Sequence, residues 1–414
     1  MALSLRAATP SRCLGFQAAI GLRAAPQVPR ALLHNITTPA YIEGAPQTKS
    51  ALPFAAGGLF AVRALAVGRR RSRAVRQIFG LRAASGVAAP AKPLRLLLLD
   101  PLSRELLERL ASLGAEVQCR GGGETVVEAL LRVRPQAVVV RSSLLQIEEL
   151  EQAASGCLEL QLVMRAGAGV DNIAVEALGS RGVVVANAEG ANAVAVAELT
   201  MAHLLNLDRR LSDQVESLRR GEWRRLEFAG ALGLYGRTLA VLGVGHIGRE
   251  VIKRARAFGM EVRAWSRSLT VEEATALGVL RCSSAEEAAR GAHALSVHLP
   301  LAPSTQGLVG QKLLRELRPG ALVVNMSRGG VVDEAALVAA VAERGLRAGL
   351  DVFVHEPGAS ASTFDDEAIS GSAGIFCTHH TGARTEQAAE AVENAVLAAV
   401  SALLDGRRIP GKIV

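Results

Sequence analysis

The stretch TLAVLGVGHIGREV, residues 238–251, decides how this sequence is read. TLAVLGV is a short, continuous run of aliphatic residues, the pattern of a buried parallel strand. GVGHIG (243–248) then fits G-x-G-x-x-G. Gly243 permits a tight turn, Gly245 lets backbone N–H groups approach a pyrophosphate, and Gly248 allows close helix–strand packing. A helix is expected over 249–258, and a second strand, EVRAWS, arrives on time, with Ser266 lying 18 residues past Gly248. Three glycines alone carry little weight in a chain with 41 of them. Strand, loop, helix and strand in order define a dinucleotide site, with His246 and Ile247 in its loop and the helix N-terminus facing the phosphates.

The second strand ends in Ser266, Arg267 and Ser268 rather than in a carboxylate. A carboxylate there accepts hydrogen bonds from the adenosine ribose and repels a 2′-phosphate, whereas hydroxyls and a guanidinium bind one. NADP(H) is therefore expected ahead of NAD(H).

Working outward, the same alternation fills residues 94–404. LRLLLLD (94–100), AVVVRSS (137–143), LQLVMRAG (160–167) and VVVANA (183–188) form one series of strands. Helical stretches over 191–207 and 211–220 separate it from a second: TLAVLGVG, EVRAWSR, HALSVHLP, ALVVNMSR, GLRAGLDVF and GIFCTHH. A last helix is expected over 386–404. The fold class is α/β, as two Rossmann-like, doubly wound parallel-sheet domains. The substrate domain is expected over 93–193, completed by 385–414, with the dinucleotide domain (194–384) inserted between.

Charge is unevenly distributed. Residues 1–92 hold eleven Arg, Lys49 and Lys92 against one acid, Glu43, leaving 34 basic and 38 acidic residues beyond them. The formal charge of +8 thus belongs to the leader, and the acidic remainder, with only 3% aromatic residues, gives no reason to expect a nucleic-acid partner. The run Arg69-Arg70-Arg71-Ser72-Arg73 suits an organellar transit peptide, cleaved between Arg69 and Pro93; the residues themselves barely separate plastid stroma from mitochondrion as destination. The apolar stretch 51–67 is broken by Pro53, Gly57, Gly58 and Arg63, so no membrane span is expected there. The five cysteines (13, 119, 157, 282 and 377) are scattered and read as buried free thiols; no metal site is expected.

The later strands end in groups suited to 2-hydroxy or 2-oxo acid chemistry. Arg328 follows ALVVNMS, Asp351 and Glu356 follow GLRAGL, and His379 and His380 follow GIFCT. A guanidinium holds a carboxylate and polarises a carbonyl, an imidazole passes the proton, and a carboxylate on the far ring nitrogen fixes the tautomer. His298, in SVHLP, and His246, in the glycine loop, read as packed or solvated residues.

RAGAGVDNI (165–173), VAELT (196–200), GVGHIGRE, HLPLAPSTQGLV, NMSRGGVVDEAAL, LDVFVHEP and THHTGARTEQA match in order. On these segments the chain from about 94 to 414 resembles the D-isomer-specific 2-hydroxyacid dehydrogenases, most closely the branch that oxidises 3-phosphoglycerate. The resemblance implies that Arg328 binds substrate, that Glu356 partners the imidazole, and that His380 is the acid/base. It places Asp351 and Pro300 at the cofactor and Asn192 at the substrate, whose carboxylate is held by backbone N–H groups of Ala166, Gly167, Ala168 and Gly169. Arg141 and Arg165 would take a substrate phosphate. A homodimer through the dinucleotide domain is implied too. Two alternatives remain open: an NADPH-dependent glyoxylate/hydroxypyruvate reductase, and a dinucleotide-sensing, corepressor-like binding protein. His379 stands where the family often has proline.

Overall fold

In the computed structural model, residues 93–157, 159–357 and 361–414 are described. The transit-peptide expectation and Cys13 lie outside them. From residue 93 the chain builds two parallel sheets. The first holds β1 (Leu94–Leu98), β2 (Ala115–Cys119), β3 (Ala137–Val140), β4 (Leu162–Arg165) and β5 (Val184–Asn187), in the order β2-β1-β3-β4-β5. Between them run α1 (Arg104–Ser112), α2 (Val126–Val133), α3 (Ile147–Gln152) and α4 (Val175–Ser180). Every residue of β3 is buried, which is why it reads as an unbroken apolar run.

Two helices, α5 (Ala193–Arg209) and α6 (Leu211–Arg219), lead into the second sheet. It contains β6 (Thr238–Leu242), α7 (His246–Ala257), β7 (Glu261–Trp265), α8 (Val271–Leu277), β8 (Leu280–Arg281), α9 (Ala285–Ala289) and β9 (Ala294–Val297). It continues through α10 (Gln311–Glu316), β10 (Leu322–Asn325), α11 (Glu334–Arg344), β11 (Arg347–Leu350), α12 (Glu367–Ser370) and β12 (Ile375–Cys377). The strand order is β12-β11-β10-β9-β6-β7-β8, so the order reverses between β6 and β9. A crevice at the carboxyl ends of strands on either side of such a reversal is where open α/β sheets bind ligands.

The last helix, α13 (Glu386–Leu404), buries Val396, Ala399, Val400 and Ala402 in one cluster with Leu96, Leu98 and Leu110 of the first sheet's layer. It is long and apolar enough to cross a membrane, but here that apolar stripe covers a sheet. Beyond it, Lys412 bridges Ala186 in antiparallel fashion, and Ile413 N–H donates to the Val185 carbonyl at 2.8 Å. The chain thus starts the first sheet, builds the second, and returns to finish the first.

Two strands were not anticipated, and both are sheet edges. β2 is half exposed, with Glu116 and Gln118 diluting its apolar signal, and β8 spans two exposed residues. The expectation of buried thiols fails at Cys119, which ends edge strand β2 and is exposed; Cys282 is buried, and Cys157 and Cys377 are partly so.

Candidate active site

Three successive strands of the second sheet deliver the groups expected to react. His380 follows β12, Glu356 follows β11 and Arg328 follows β10. His380 Nδ1 lies 2.6 Å from Glu356 Oε1, and both side chains keep solvent access. A carboxylate at Nδ1 fixes the Nδ1–H tautomer and leaves Nε2 free to take or give a proton. His380 has φ +50°, in the left-handed region that costs a β-carbon-bearing residue energy and recurs at functional sites.

Arg328 Nε donates to Asp171 Oδ2 at 3.0 Å, and Nη1 donates to the Ser327 carbonyl at 2.7 Å. Asn325 shapes this turn: its Nδ2 donates to the Arg328 carbonyl, and its Oδ1 accepts from Ser327 N–H and Oγ–H. Asp171 belongs to the first sheet's RAGAGVDN loop, so this ion pair joins the two halves. A β-carbon on Gly169 would stand 1.9 Å from Arg328 Nη2, so the guanidinium occupies space that only glycine leaves open.

The anion-binding expectations meet at that loop in modified form. Arg165 folds over Gly167, donating from Nη1 to the Ala166 carbonyl at 3.0 Å. Burial, helped by the neighbouring Arg328, pushes the Arg165 guanidinium pKa down. Repulsion between such cations is relieved by an anion between them. Of the four backbone N–H groups expected to face a carboxylate, two are already engaged: Ala166 donates to Val140 and Gly167 to Arg165. Those of Ala168 and Gly169 remain for a ligand. Among the described residues, Asn192 Oδ1 and Arg165 Nε are buried without a hydrogen-bond partner, which suits a site completed by something bound. Arg141 is exposed at the end of β3, where the Asp100 carboxylate accepts from the N–H groups of Arg141, Ser142 and Ser143.

The dinucleotide side also fits a ligand. Gly243 has φ +94°, and a β-carbon there would lie 2.3 Å from the His298 carbonyl oxygen; Gly248 packs so closely that a β-carbon would lie 2.0 Å from the Gly243 carbonyl oxygen. Gly245 caps α7 without a side-chain hydrogen bond and has open space where a β-carbon would stand. The first N–H groups of α7, those of His246 and Ile247 included, therefore face an open cradle suited to a pyrophosphate. His246 is not merely solvated: Nε2 lies 3.0 Å from Glu189 Oε1, just past β5. Ser266, Arg267 and Ser268 form the turn after β7, and Arg267 is exposed with no ion-pair partner among the described residues. Pro300 is exposed in the segment after β9, and its carbonyl accepts from Thr305 Oγ1. His298 is pushed down to about 3 by burial, and Ser296 Oγ lies 2.7 Å from its Nε2, which agrees with a packed role.

Asp351 does something the sequence did not disclose. It is 3% exposed and accepts from Thr378 Oγ1 at 2.6 Å, Thr381 N–H at 2.9 Å and Gly382 N–H at 2.8 Å. Its carboxylate clamps the turn that carries His380. Asp171, Thr378 and Glu189 were missed likewise, because each acts through a partner distant in sequence.

With two doubly wound sheets, a glycine cradle and an Arg–Glu–His set on the strand ends, the chain belongs to the D-isomer specific 2-hydroxyacid dehydrogenase family. That family's NAD-binding-domain model matches residues 201–382. The D-3-phosphoglycerate dehydrogenase of Methanocaldococcus jannaschii is 36% identical over 314 residues, 75% of this chain and 58% of that protein. The D-3-phosphoglycerate dehydrogenase 2, chloroplastic, of Arabidopsis thaliana is 36% identical over 272 residues, 65% of this chain and 42% of that protein. The chain thus spans about half the length of the curated relatives it matches. Among solved structures, the TT0316 protein of Thermus thermophilus aligns with a TM-score of 0.68 at 30% identity, covering 78% of this chain and all of that one.

Proposed function

We propose that the protein oxidises D-3-phosphoglycerate to 3-phosphohydroxypyruvate, with a nicotinamide dinucleotide as hydride acceptor. The observation that carries this reading is the His380–Glu356 pair at the end of adjacent strands, with Arg328 and the Arg165 loop forming a cationic mouth. In the oxidation, His380 Nε2 takes the hydroxyl proton while Glu356 supports the imidazolium that results. Arg328 and the N–H groups of Ala168 and Gly169 hold the substrate carboxylate. Arg165 and Arg141 hold the phosphate. A nicotinamide, when bound, supplies the two-electron acceptor beside the substrate carbon; the α7 N-terminus, Ser266, Arg267 and Ser268 hold the rest of it, with NADP preferred. The 36% identity to proteins named for this activity supports the reading.

Arg267, exposed at the end of β7 and without an ion-pair partner among the described residues, also favours a second reading, an NADPH-dependent reductase of glyoxylate or hydroxypyruvate. Assays of the purified protein with 3-phosphoglycerate, hydroxypyruvate and glyoxylate against both cofactors separate the two. A kcat/KM for 3-phosphoglycerate below that for either unphosphorylated acid overturns the first reading, and no turnover with any acid points to the dinucleotide-sensing alternative.

The protein is further inferred to act as a homodimer in an organelle, with plastid stroma as the favoured one. The segment 211–235 leaves Trp223, Leu226 and Tyr235 80%, 89% and 86% exposed, an apolar arm suited to a second copy of the chain. The Arg-rich, acid-poor residues 1–92 and the name of the Arabidopsis relative support the location.

A further inference from the structure

One buried imidazole outside the reacting set has contacts that packing alone does not require. His203 lies on α5 and is 1% exposed. Its ring meets Phe376 edge-on at 5.0 Å between centroids, and Nδ1 would stand 2.4 Å from a β-carbon at position 349, which glycine there avoids. Nε2 lies 3.1 Å from Thr378 Oγ1. The Thr378 hydroxyl has one proton, and it donates that proton to Asp351 Oδ1. Its oxygen is therefore the acceptor for His203, which fixes the imidazole proton on Nε2. That tautomer leaves the Nδ1 lone pair buried without a donor among the described residues. Burial holds this ring down to about 4, so it stays neutral and keeps this direction of donation. A leucine would fill the space without the cost of an unsatisfied buried nitrogen.

We propose that His203 is a positioning residue: donating through Thr378 to Asp351, it holds the turn that presents His380 to the substrate. The chain of bonds runs His203 Nε2–H to Thr378 Oγ, Thr378 Oγ–H to Asp351 Oδ1, and then Thr381 N–H and Gly382 N–H onto the same carboxylate. The last two donors are the residues immediately after His380, whose left-handed backbone needs external support. Because α5 also precedes the second sheet, the device ties the proton-transfer residue to a helix rather than to its own loop. The catalytic half of this inference rests on the dehydrogenase reading; the structural half does not.

The test compares His203→Leu, His203→Gln and Thr378→Val in the full chain. Glutamine retains an amide donor that reaches Thr378, and leucine retains only bulk. Hydrogen exchange of the peptide containing Thr381 and Gly382 reads the clamp without any substrate. His203→Leu should speed that exchange about fivefold or more, and His203→Gln should restore it. In turnover, His203→Leu should lower kcat about three- to tenfold with the cofactor KM unchanged, and the double variant with Thr378→Val should cost no more than Thr378→Val alone. Exchange at the original rate in His203→Leu, or losses in His203→Gln equal to those in His203→Leu, overturns the proposal. A protein without turnover on any 2-hydroxy acid, but with exchange altered as described, overturns the dehydrogenase reading and leaves the clamp standing.

Discussion

Glu356 and His380 are 24 positions apart in sequence, leave different strands, and meet at 2.6 Å between Oε1 and Nδ1. With Nδ1 engaged by the carboxylate, Nε2 is the ring nitrogen left to pass a proton in the proposed reaction. Replacing His380 by Asn should therefore lower kcat by about 10²- to 10⁴-fold while leaving dinucleotide affinity intact. Glu356→Gln should cost less, since an amide can still meet Nδ1 but cannot stabilise an imidazolium. Steady-state kinetics beside cofactor titrations by fluorescence distinguish these outcomes, and weakened cofactor binding in His380→Asn would contradict the assignment.

The two glycine loops should respond to alanine in opposite ways. At Gly169 the new β-carbon meets the end of Arg328, a side chain that can swing aside. Thermal stability should hardly change, while substrate KM rises about tenfold, the value of one charge-assisted contact. At Gly248 the β-carbon meets the Gly243 carbonyl, which cannot move without shifting β6 or α7. Overpacking of that kind costs about 1–3 kcal/mol, so a lower melting temperature and a raised cofactor KM are expected together.

Cofactor choice is tested at the β7 turn. Arg267→Ala should cut kcat/KM for NADP(H) about tenfold or more and spare NAD(H), because only the former has a 2′-phosphate to lose. Ser266→Asp should reverse the preference by repelling that phosphate and accepting the ribose hydroxyls. Equal losses with both cofactors would show that Arg267 does not bind a 2′-phosphate.

Light scattering of the purified protein should give about twice the 43.3 kDa of one full chain, less any cleaved leader. Charging the exposed arm, as Trp223→Glu with Leu226→Glu, should halve that mass without unfolding the chain, since neither side chain is buried in the monomer. A wild-type mass of one chain would end the dimer inference.

Acid should destabilise the fold in a defined window. The His203 and His298 imidazoles lie near 4 and 3 in the folded protein, against 6.5 for a free imidazole, because burial disfavours the charged ring. Below 6.5 the unfolded chain binds these protons and the folded chain does not, so stability present above 6.5 is lost as pH falls toward 4. At about 1.4 kcal/mol per unit, His203 alone costs about 2 kcal/mol at pH 5. Urea titrations at pH 7.5 and 5 should show His203→Gln losing less stability than the parent by that amount.

Much of this site was written locally. GVGHIG announces itself because three glycines, a strand and a helix fall within one short stretch, and Arg328, Glu356 and His380 stand out because polar groups directly follow apolar runs. What escaped was whatever depends on two distant segments. The family resemblance places Asp351 at the cofactor, and nothing in its own segment announces the bonds it makes to Thr378, Thr381 and Gly382. Nothing in the α5 pattern says that His203 faces β12 rather than the core at large. Edge strands β2 and β8 escaped because partial exposure replaces the apolar run with an ordinary mixture.

The return of the chain to its first sheet has a consequence for how the protein is made. A ribosome releases residues in order, so the second sheet has its last strand once residue 377 is out. The first sheet, begun much earlier, waits for α13 and for Lys412 and Ile413 to reach β5. During that interval its apolar face and the edge of β5 stand open, and an open edge is a template for pairing with other chains. The half that is synthesised first is the half completed last.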